Sequence, residues 1–85
     1  MTITAPRYNY YVAVTLSDSV DIPTGMTDAL WVGTKGATGT LVAVREDGTT
    51  VTFVGIAAGT LLPIAVKRVN TTTTDVSNVV ALYSR

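Results

Sequence analysis

Apolar and polar residues alternate along most of this sequence, and no stretch repeats apolar residues at the spacing of a helix face. Alternation with a period of two is typical of half-buried β-strands. It predicts six strands, over residues 10–16, 29–32, 40–45, 49–54, 61–69 and 79–83. The predicted fold class is all-β, a small antiparallel β-sandwich or flattened β-barrel of about six to seven strands.

The segment LVAVREDGTTVTFV is predicted to form a β-hairpin. Val42 and Val44 share one face of its first strand, and Val51 and Phe53 share one face of its second strand. The EDG sequence between them supplies the turn, because Gly48 adopts a positive φ without steric cost.

The predicted strand over residues 61–69 contains Pro63, which has no N–H to donate to a neighbouring strand. Proline within a strand is confined to sheet edges and bulges. We therefore expect this part of the strand to lie at an edge or a bulge, and the polar segment 70–77 that follows to form a loop.

Several predicted strands are apolar on both sides. Leu41 and Ala43 oppose Val42 and Val44, and the same two-sided pattern occurs in residues 29–32 and 79–83. Either a barrel-like core covers both faces, or the second face meets another chain. The second alternative predicts an oligomer interface that contains Trp31, Leu41, Leu61, Pro63, Val80 and Leu82.

The chain has 85 residues, which is the size of one small domain. A domain of this size buries only about 60–65% of the surface of its unfolded chain, so its core leaves a narrow stability margin. The sequence has no Cys and no His, which excludes disulfides and removes the commonest metal ligands. Burial against other subunits remains available. We divide the chain into an N-terminal arm over residues 1–11, leading into the first strand, and a single β domain over residues 12–85.

Charge is sparse and balanced, with six basic and six acidic residues and 14% charged residues in total. Nucleic-acid binding needs a concentrated positive field, and anionic membranes attract polybasic segments, so neither partner is expected. No secretory signal or long apolar run is visible, and we expect synthesis in the cytoplasm.

Reactive groups are few. Asp18 and Asp21 could offer oxygens to a hard cation such as Ca²⁺, or could cap backbone N–H groups in a turn, which is the favoured interpretation. The serines have no His beside them in the sequence, and the GTKGATG run lacks the phosphate-loop pattern. We predict no catalytic, cofactor-binding or metal-binding residues, no cofactor and no enzyme activity.

The aromatic residues allow an alternative function. Trp31 and the N-terminal tyrosines Tyr8, Tyr10 and Tyr11 could stack on sugars, as in a carbohydrate-binding module. They could equally be strand residues that pack on neighbours.

Four segments together resemble a known family. They are SDSVDIP at residues 17–23, ALWVGTKG at 29–36, DGTTVTFVGIAAGTLLPIAVKRV at 47–69 and SNVVALY at 77–83. In this order they resemble the small spike-base or head-decoration proteins of tailed bacteriophages and phage-derived gene transfer agents. Asp28 and Trp31 depart from the family pattern, in which a basic residue and Tyr are commoner.

The resemblance implies a virion structural protein on the capsid exterior, made in the host bacterial cytoplasm. It would stabilise the shell, anchor a fibre, or do both, with no enzymatic activity. The implied partners are further copies of itself (a homotrimer or homopentamer), the major capsid protein and a head fibre protein. The residues predicted to contact the capsid or a fibre are Arg7, Tyr8, Asn9, Tyr10, Tyr11, Thr71, Thr72, Thr73, Thr74 and Asp75.

Overall fold

A computed structural model of the chain describes residues 7–85. More than half of the predicted arm over residues 1–11 therefore lies outside the described residues. The last two residues of that arm, Tyr10 and Tyr11, already belong to the first strand.

The described residues contain seven β-strands: β1 (Tyr10–Ala13), β2 (Ala29–Lys35), β3 (Leu41–Val44), β4 (Thr50–Phe53), β5 (Thr60–Leu62), β6 (Arg68–Val69) and β7 (Val76–Tyr83). They form a four-stranded sheet in the order β1-β7-β2-β5 and a three-stranded sheet in the order β4-β3-β6. All neighbouring strands are antiparallel. The predicted all-β class and small antiparallel sandwich are confirmed. Between residues 7 and 85 no helix is long and apolar enough to cross a membrane.

The core lies between the two sheets. Leu30, Val32 and Ala81 of the four-stranded sheet are completely buried, as are Leu41 and Val69 of the three-stranded sheet. Successive side chains of a strand point to opposite faces of the sheet. The residues that alternate with these buried ones therefore lie on the outer face of their sheet.

The predicted hairpin is confirmed as β3 and β4. The register places Leu41 opposite Phe53 and Ala43 opposite Val51, so Val51 shares its face with Ala43. Gly48 has a φ of 91°, and its N–H donates to the carbonyl of Arg45 at 2.9 Å. A glycine in this conformation closes a three-residue hairpin loop.

The prediction of one continuous strand over residues 61–69 is wrong. The segment forms two short strands in different sheets, since β5 pairs with β2 and β6 pairs with β3. Pro63 ends β5, and immediately after it the N–H of Ile64 donates to the carbonyl of Leu62 at 2.8 Å. This tight turn redirects the chain from one sheet towards the other. The expectation that Pro63 lies at an edge is confirmed, because β5 is an edge strand.

Both faces of β3 are covered within one chain. Leu41, Val42, Ala43 and Val44 are all buried. For this strand the barrel-like alternative is correct, and its apolar second face does not require a partner. Three of the seven large apolar side chains that remain exposed among residues 7–85 lie on the outer face of the four-stranded sheet: Tyr11, Trp31 and Leu61.

Candidate interaction surface

The outer face of the four-stranded sheet carries an apolar row that crosses every strand. Ala13 of β1 lies opposite Val80 of β7, Val80 lies opposite Trp31 of β2, and Trp31 lies opposite Leu61 of β5. Directly opposed residues of antiparallel strands project to the same face. With neighbouring strands about 4.8 Å apart, the row is roughly 14 Å long.

A second row lies beside the first. Tyr11 of β1 is opposite Leu82 of β7, which is opposite Ala29 of β2. Ala29 is fully covered by its neighbours, whereas Tyr11 is 66% exposed. We call the accessible members of the two rows the outer patch: Tyr11, Ala13, Trp31, Leu61, Val80 and Leu82.

The outer patch is uncharged and accessible to solvent. Trp31 is 41% exposed and Leu61 is 43% exposed, while Val80 and Leu82 are half-buried. The indole of Trp31 lies over the loop before β5, with two ring atoms 3.9 Å from the position that a side chain on Gly59 would occupy. A contiguous apolar surface of this kind, without charges, is typical of a protein–protein contact.

The structure brings most of the predicted oligomer interface together. Trp31, Leu61, Val80 and Leu82 all lie in the outer patch, and the exposed Pro63 follows directly after Leu61 and Leu62. Leu41 is different, because its side chain is fully buried in the core and has no surface to offer to another chain.

Two members of the outer patch are absent from the interface predicted from the sequence. Tyr11 is predicted there as a capsid or fibre contact, and Ala13 has no predicted role. Alternation in the sequence shows that both share a strand face, but their place beside Val80 and Leu82 follows from the β1–β7 register, which connects residues about 70 positions apart.

The predicted contact residues of the N-terminal segment lie against the end of β7. The side chain of Asn9 forms two hydrogen bonds with the backbone of Arg85, which donates its N–H to Asn9 Oδ1 at 2.8 Å. The ring of Tyr10 lies 5.6 Å from that of Tyr83, and the guanidinium of Arg85 covers both rings at 4.7 and 4.3 Å from their centroids. Tyr8 is half-buried and Arg7 is exposed.

The second predicted contact segment is a well-bonded loop. Asp18 Oδ1 accepts the backbone N–H groups of Thr71 and Thr72 at 2.9 Å each. Thr73 has a φ of 75°, and Thr74 Oγ1 accepts the N–H of Val42 at 3.0 Å.

The structure does not bring the two predicted contact segments together. The loop ends where β7 begins, at Val76, while the N-terminal segment lies beside the other end of β7, at Tyr83. Seven residue steps along a strand separate these ends by about 23 Å. A single partner surface would therefore have to span about this distance to contact both segments.

Asp18 and Asp21 both have protein partners. Asp18 also accepts the Thr72 hydroxyl at 2.6 Å, and the hydrogen bonds from Thr72 lower the pKa of this carboxyl below its ordinary value. Asp21 forms an ion pair with Arg68 at 2.7 Å. The favoured capping interpretation fits Asp18, whose partners lie in a distant loop, and not Asp21. Residues 7–85 contain no group of three or more His, Cys, Asp or Glu side chains arranged to hold a metal ion.

The serines also serve the fold. Ser17 Oγ accepts the backbone N–H groups of Ser19 and Val20 at 3.2 and 2.9 Å. Ser77 bonds the hydroxyl of Thr34, and Lys35 Nζ donates only to the carbonyl of Gly36, at 3.4 Å, among the described residues. Within residues 7–85 no hydrogen bond joins a serine hydroxyl to the side chain of Lys35 or Lys67.

No family model matches the chain, and a search of curated proteins also found no match. Among solved structures, the chain is similar to a chain in the capsid of a native gene transfer agent (GTA) particle computed with C5 symmetry. The two sequences are 36% identical, and the superposition has a TM-score of 0.77. The match covers 89% of this chain and 83% of the other. Identity at this level over nearly the whole of both chains reflects common descent, and the protein therefore belongs to the same family of phage-derived capsid proteins as that chain of the gene transfer agent particle.

Proposed function

We propose that this protein is a structural component of a virion, located on the capsid exterior, where it acts as a head-decoration or spike-base protein. It assembles there as a symmetric ring of three or five copies and contacts the major capsid protein. The observation that carries the proposal is the outer patch, an uncharged apolar surface that crosses all four strands of one sheet. The chain that carries this patch belongs to a family of capsid proteins. No enzymatic activity belongs to this role.

The outer patch fits contact between copies for an energetic reason. Burial of exposed apolar surface contributes roughly 25 cal/mol per Å² to the free energy of association. The two rows contain no charged side chain, so association does not incur the cost of removing a charge from water. Trp31 and Tyr11 are side chains of the type that dominate the binding energy of protein interfaces. The related capsid was computed with fivefold symmetry, so five copies is the first number to test.

The stabilising mechanism is linkage. A protein that binds only the assembled shell shifts the equilibrium towards assembly by RT ln(1 + [L]/Kd), which is about 2.7 kcal/mol per site at a hundredfold excess over Kd. Repetition of the same contact over a closed shell adds avidity. A fibre protein would be anchored on the ring.

The carbohydrate-binding alternative is less well supported. Trp31 and Tyr11 do share the outer face, but Tyr10 packs against Tyr83 at the edge of the core instead of joining them. Sugar sites need polar groups beside the stacking ring, and the two rows around Trp31 supply apolar side chains. Glycan binding that is lost in Trp31→Ala would favour this alternative over the capsid role.

Self-association is tested with a matched pair of variants. Leu61 on β5 and Val51 on β4 are both apolar edge-strand residues with 43% exposure, but only Leu61 lies in the outer patch. We expect Leu61→Glu to weaken self-association at least ~30-fold, as for an interface hot spot, while Val51→Glu leaves it unchanged. Sedimentation velocity over a range of concentrations measures both.

Two results would overturn the proposal. One is a wild-type protein that stays monomeric at tens of micromolar and does not bind shells of its cognate capsid protein. The other is an equal loss of association in Leu61→Glu and Val51→Glu, which would place the contact elsewhere.

A further inference from the structure

The β1 edge of the four-stranded sheet carries no device that blocks further pairing. Among residues 7–85, β1 pairs with β7 only, and residues 10–16, YYVAVTL, contain neither Pro nor a charge. The β5 edge, by contrast, ends at Pro63, which lacks an N–H and turns the chain away. Natural proteins usually block exposed sheet edges in such ways, so an unblocked edge is a candidate for pairing with a further strand.

The free backbone groups of the β1 edge can be identified. The N–H of Val14 donates to the carbonyl of Val79 at 2.9 Å, which continues the β1–β7 ladder past Ala13. In an antiparallel pair alternate residues bond to the same neighbour, so Tyr11, Ala13 and Thr15 direct their N–H and C=O groups away from β7. Within residues 7–85 these groups have no hydrogen-bond partner.

This free stretch has defined ends. After it, the N–H of Ser17 donates to the carbonyl of Val69 at 3.0 Å, so the chain leaves the edge and joins β6. Before it, the side chain of Asn9 is bonded to the backbone of Arg85. The edge therefore accommodates a partner strand over residues 11–15, where free backbone groups occur at every second position.

An apolar groove of about 530 Å³ runs along this edge. Half-buried Val12, Val14 and Leu16, which pack against the core, line one side of the groove, and residues 20–24 line the other. The one charged residue of the lining, Asp21, is held in an ion pair. A strand that fits this edge therefore presents free backbone groups together with uncharged, apolar side chains on its inner face.

Strand β1 of a second copy meets both requirements. Antiparallel pairing about a twofold axis at Ala13 places this residue opposite Ala13 of the second copy, and places Tyr11 opposite Thr15. The two residues of each such pair exchange both N–H···O bonds. This register therefore uses every free N–H and C=O group that residues 11–15 direct away from β7, in both copies.

The same register matches the side chains on both faces, because directly opposed residues project to the same face. On the inner face Val12 lies opposite Val14 of the second copy, so the apolar side chains of the added strand point to the groove side. On the outer face the small side chain of Ala13 occupies the axis. The outer patches of the two copies become continuous and face the same way, so they remain available for other contacts.

We propose that two copies of this protein pair their β1 edges in antiparallel fashion about a twofold axis at Ala13, which joins their four-stranded sheets into one continuous sheet. The contact is isologous, whereas each contact within a ring of three or five copies is head-to-tail. The edge pairing therefore goes beyond the proposed function, because it joins copies that belong to two different rings.

Engineered cysteines test the register, because the sequence contains no Cys. Under mild oxidation we expect Ala13→Cys protein to form a disulfide-linked homodimer, since the Cα atoms of such a pair lie about 5.5 Å apart, within disulfide range. Tyr11→Cys and Thr15→Cys should each stay unlinked alone, because each residue lies about 13 Å from its own equivalent, and should link when mixed. Val51→Cys, on an edge strand of the other sheet, is the control and should stay unlinked.

Amide hydrogen exchange supplies a second measurement, on the unmodified protein. We expect the N–H groups of Tyr11, Ala13 and Thr15 to exchange at least ~10-fold more slowly at high than at low protein concentration. Val12 and Val14 are the control within the same strand, because their N–H groups belong to the β1–β7 ladder with or without a second copy. Their exchange rates should change much less.

The variant Leu61→Glu separates the edge contact from the outer patch. It should break the ring and leave the concentration-dependent slowing at the three edge amides intact. If it loses both, the protection comes from the ring, and edge pairing is wrong while the proposed function stands. If it assembles as the wild-type protein does and both edge signals are present, the outer-patch contact is wrong and the edge contact stands.

Two further results would overturn edge pairing alone. One is a wild-type oligomer in which Ala13→Cys does not link and the exchange of the three edge amides does not depend on concentration. The other is slow exchange of these amides at every concentration, which would show that the edge is already covered within a single chain.

Discussion

The carboxylate of Asp75 binds Thr38, which lies 37 residues earlier, through both the backbone N–H at 2.9 Å and the hydroxyl at 2.8 Å. The same carboxylate accepts the N–H of Thr40. Asp75 thereby joins the loop before β3 to the loop before β7 and organises one end of the sandwich. The sequence predicts Asp75 as a capsid or fibre contact, and its hydrogen bonds show a role in the fold.

Stability should fall in acid because of Asp75. The backbone N–H groups of Thr38 and Thr40 stabilise the charged form and lower the pKa of this carboxyl to about 2. A carboxyl with a depressed folded-state pKa stabilises the fold above its unfolded pKa, near 4, and loses that contribution as the pH falls towards 2. Urea unfolding at pH 7, 4, 3 and 2 measures the change.

In Asp75→Asn, the free energy of unfolding should change less between pH 4 and pH 2 than in the wild-type protein. The variant should also be less stable than the wild-type protein at pH 7. Glu46→Gln, at an exposed position in the β3–β4 turn, is the control and should retain the wild-type slope. An unchanged slope in Asp75→Asn would contradict the role given to this carboxyl.

Gly39→Ala should strongly destabilise the fold. Gly39 has a φ of 64°, and a Cβ there would overlap the backbone of Ile56, whose nitrogen would lie 2.8 Å away. Left-handed strain and forced overpacking together predict a loss of at least about 2 kcal/mol.

Gly48→Ala is the matched control, because φ at Gly48 is 91° but no atom lies within 4 Å of the position that a Cβ would occupy there. It should cost about 1–2 kcal/mol, from backbone strain alone. Chemical denaturation measures the free energy of unfolding of both variants. If Gly39→Ala and Gly48→Ala lose the same amount, the contact with Ile56 adds nothing to the destabilisation.

Thr27→Val should destabilise the protein although it preserves the side-chain shape. Thr27 is buried, and its hydroxyl donates to the carbonyl of Ile64 at 2.9 Å and accepts the N–H of Val66 at 3.0 Å. Valine leaves both backbone groups without a partner, at a cost of about 1–3 kcal/mol each.

Thr27→Ser keeps the hydroxyl and should lose only about 1 kcal/mol, from the missing methyl group. Thermal unfolding measures the stability of the two variants, and we expect the valine variant to be the less stable one. A valine variant as stable as the serine variant would mean that water or a shifted backbone satisfies these groups.

Trp31 should report assembly through its fluorescence, because it is the single tryptophan of the chain and lies in the outer patch. Burial against another copy removes water from the indole, so its emission maximum should move to shorter wavelength as protein concentration rises. Leu61→Glu should abolish this shift. A concentration-independent spectrum in a wild-type protein that sediments as an oligomer would place Trp31 outside the interface.

Much of the fold could be predicted from local sequence. Period-two alternation indicated the β-class, Gly48 marked the hairpin turn, and Pro63 marked a sheet edge. Each of these signals acts over a few residues, through backbone conformation or through side-chain direction. The break between β5 and β6 does not follow from the sequence, because the mainly apolar segment LLPIAVKRV is compatible with one long strand or with two short strands in different sheets.

The interaction surface required the tertiary structure. Trp31 and Leu41 have the same two-sided apolar context in the sequence, yet Trp31 is 41% exposed and Leu41 is fully buried. The difference lies in which strand faces are covered: Trp31 projects from the face of β2 opposite to the core residues Leu30 and Val32, whereas both faces of β3 are buried. Alternation reveals which residues share a face of one strand, but only the pairing of distant strands decides which face meets the core and which meets solvent.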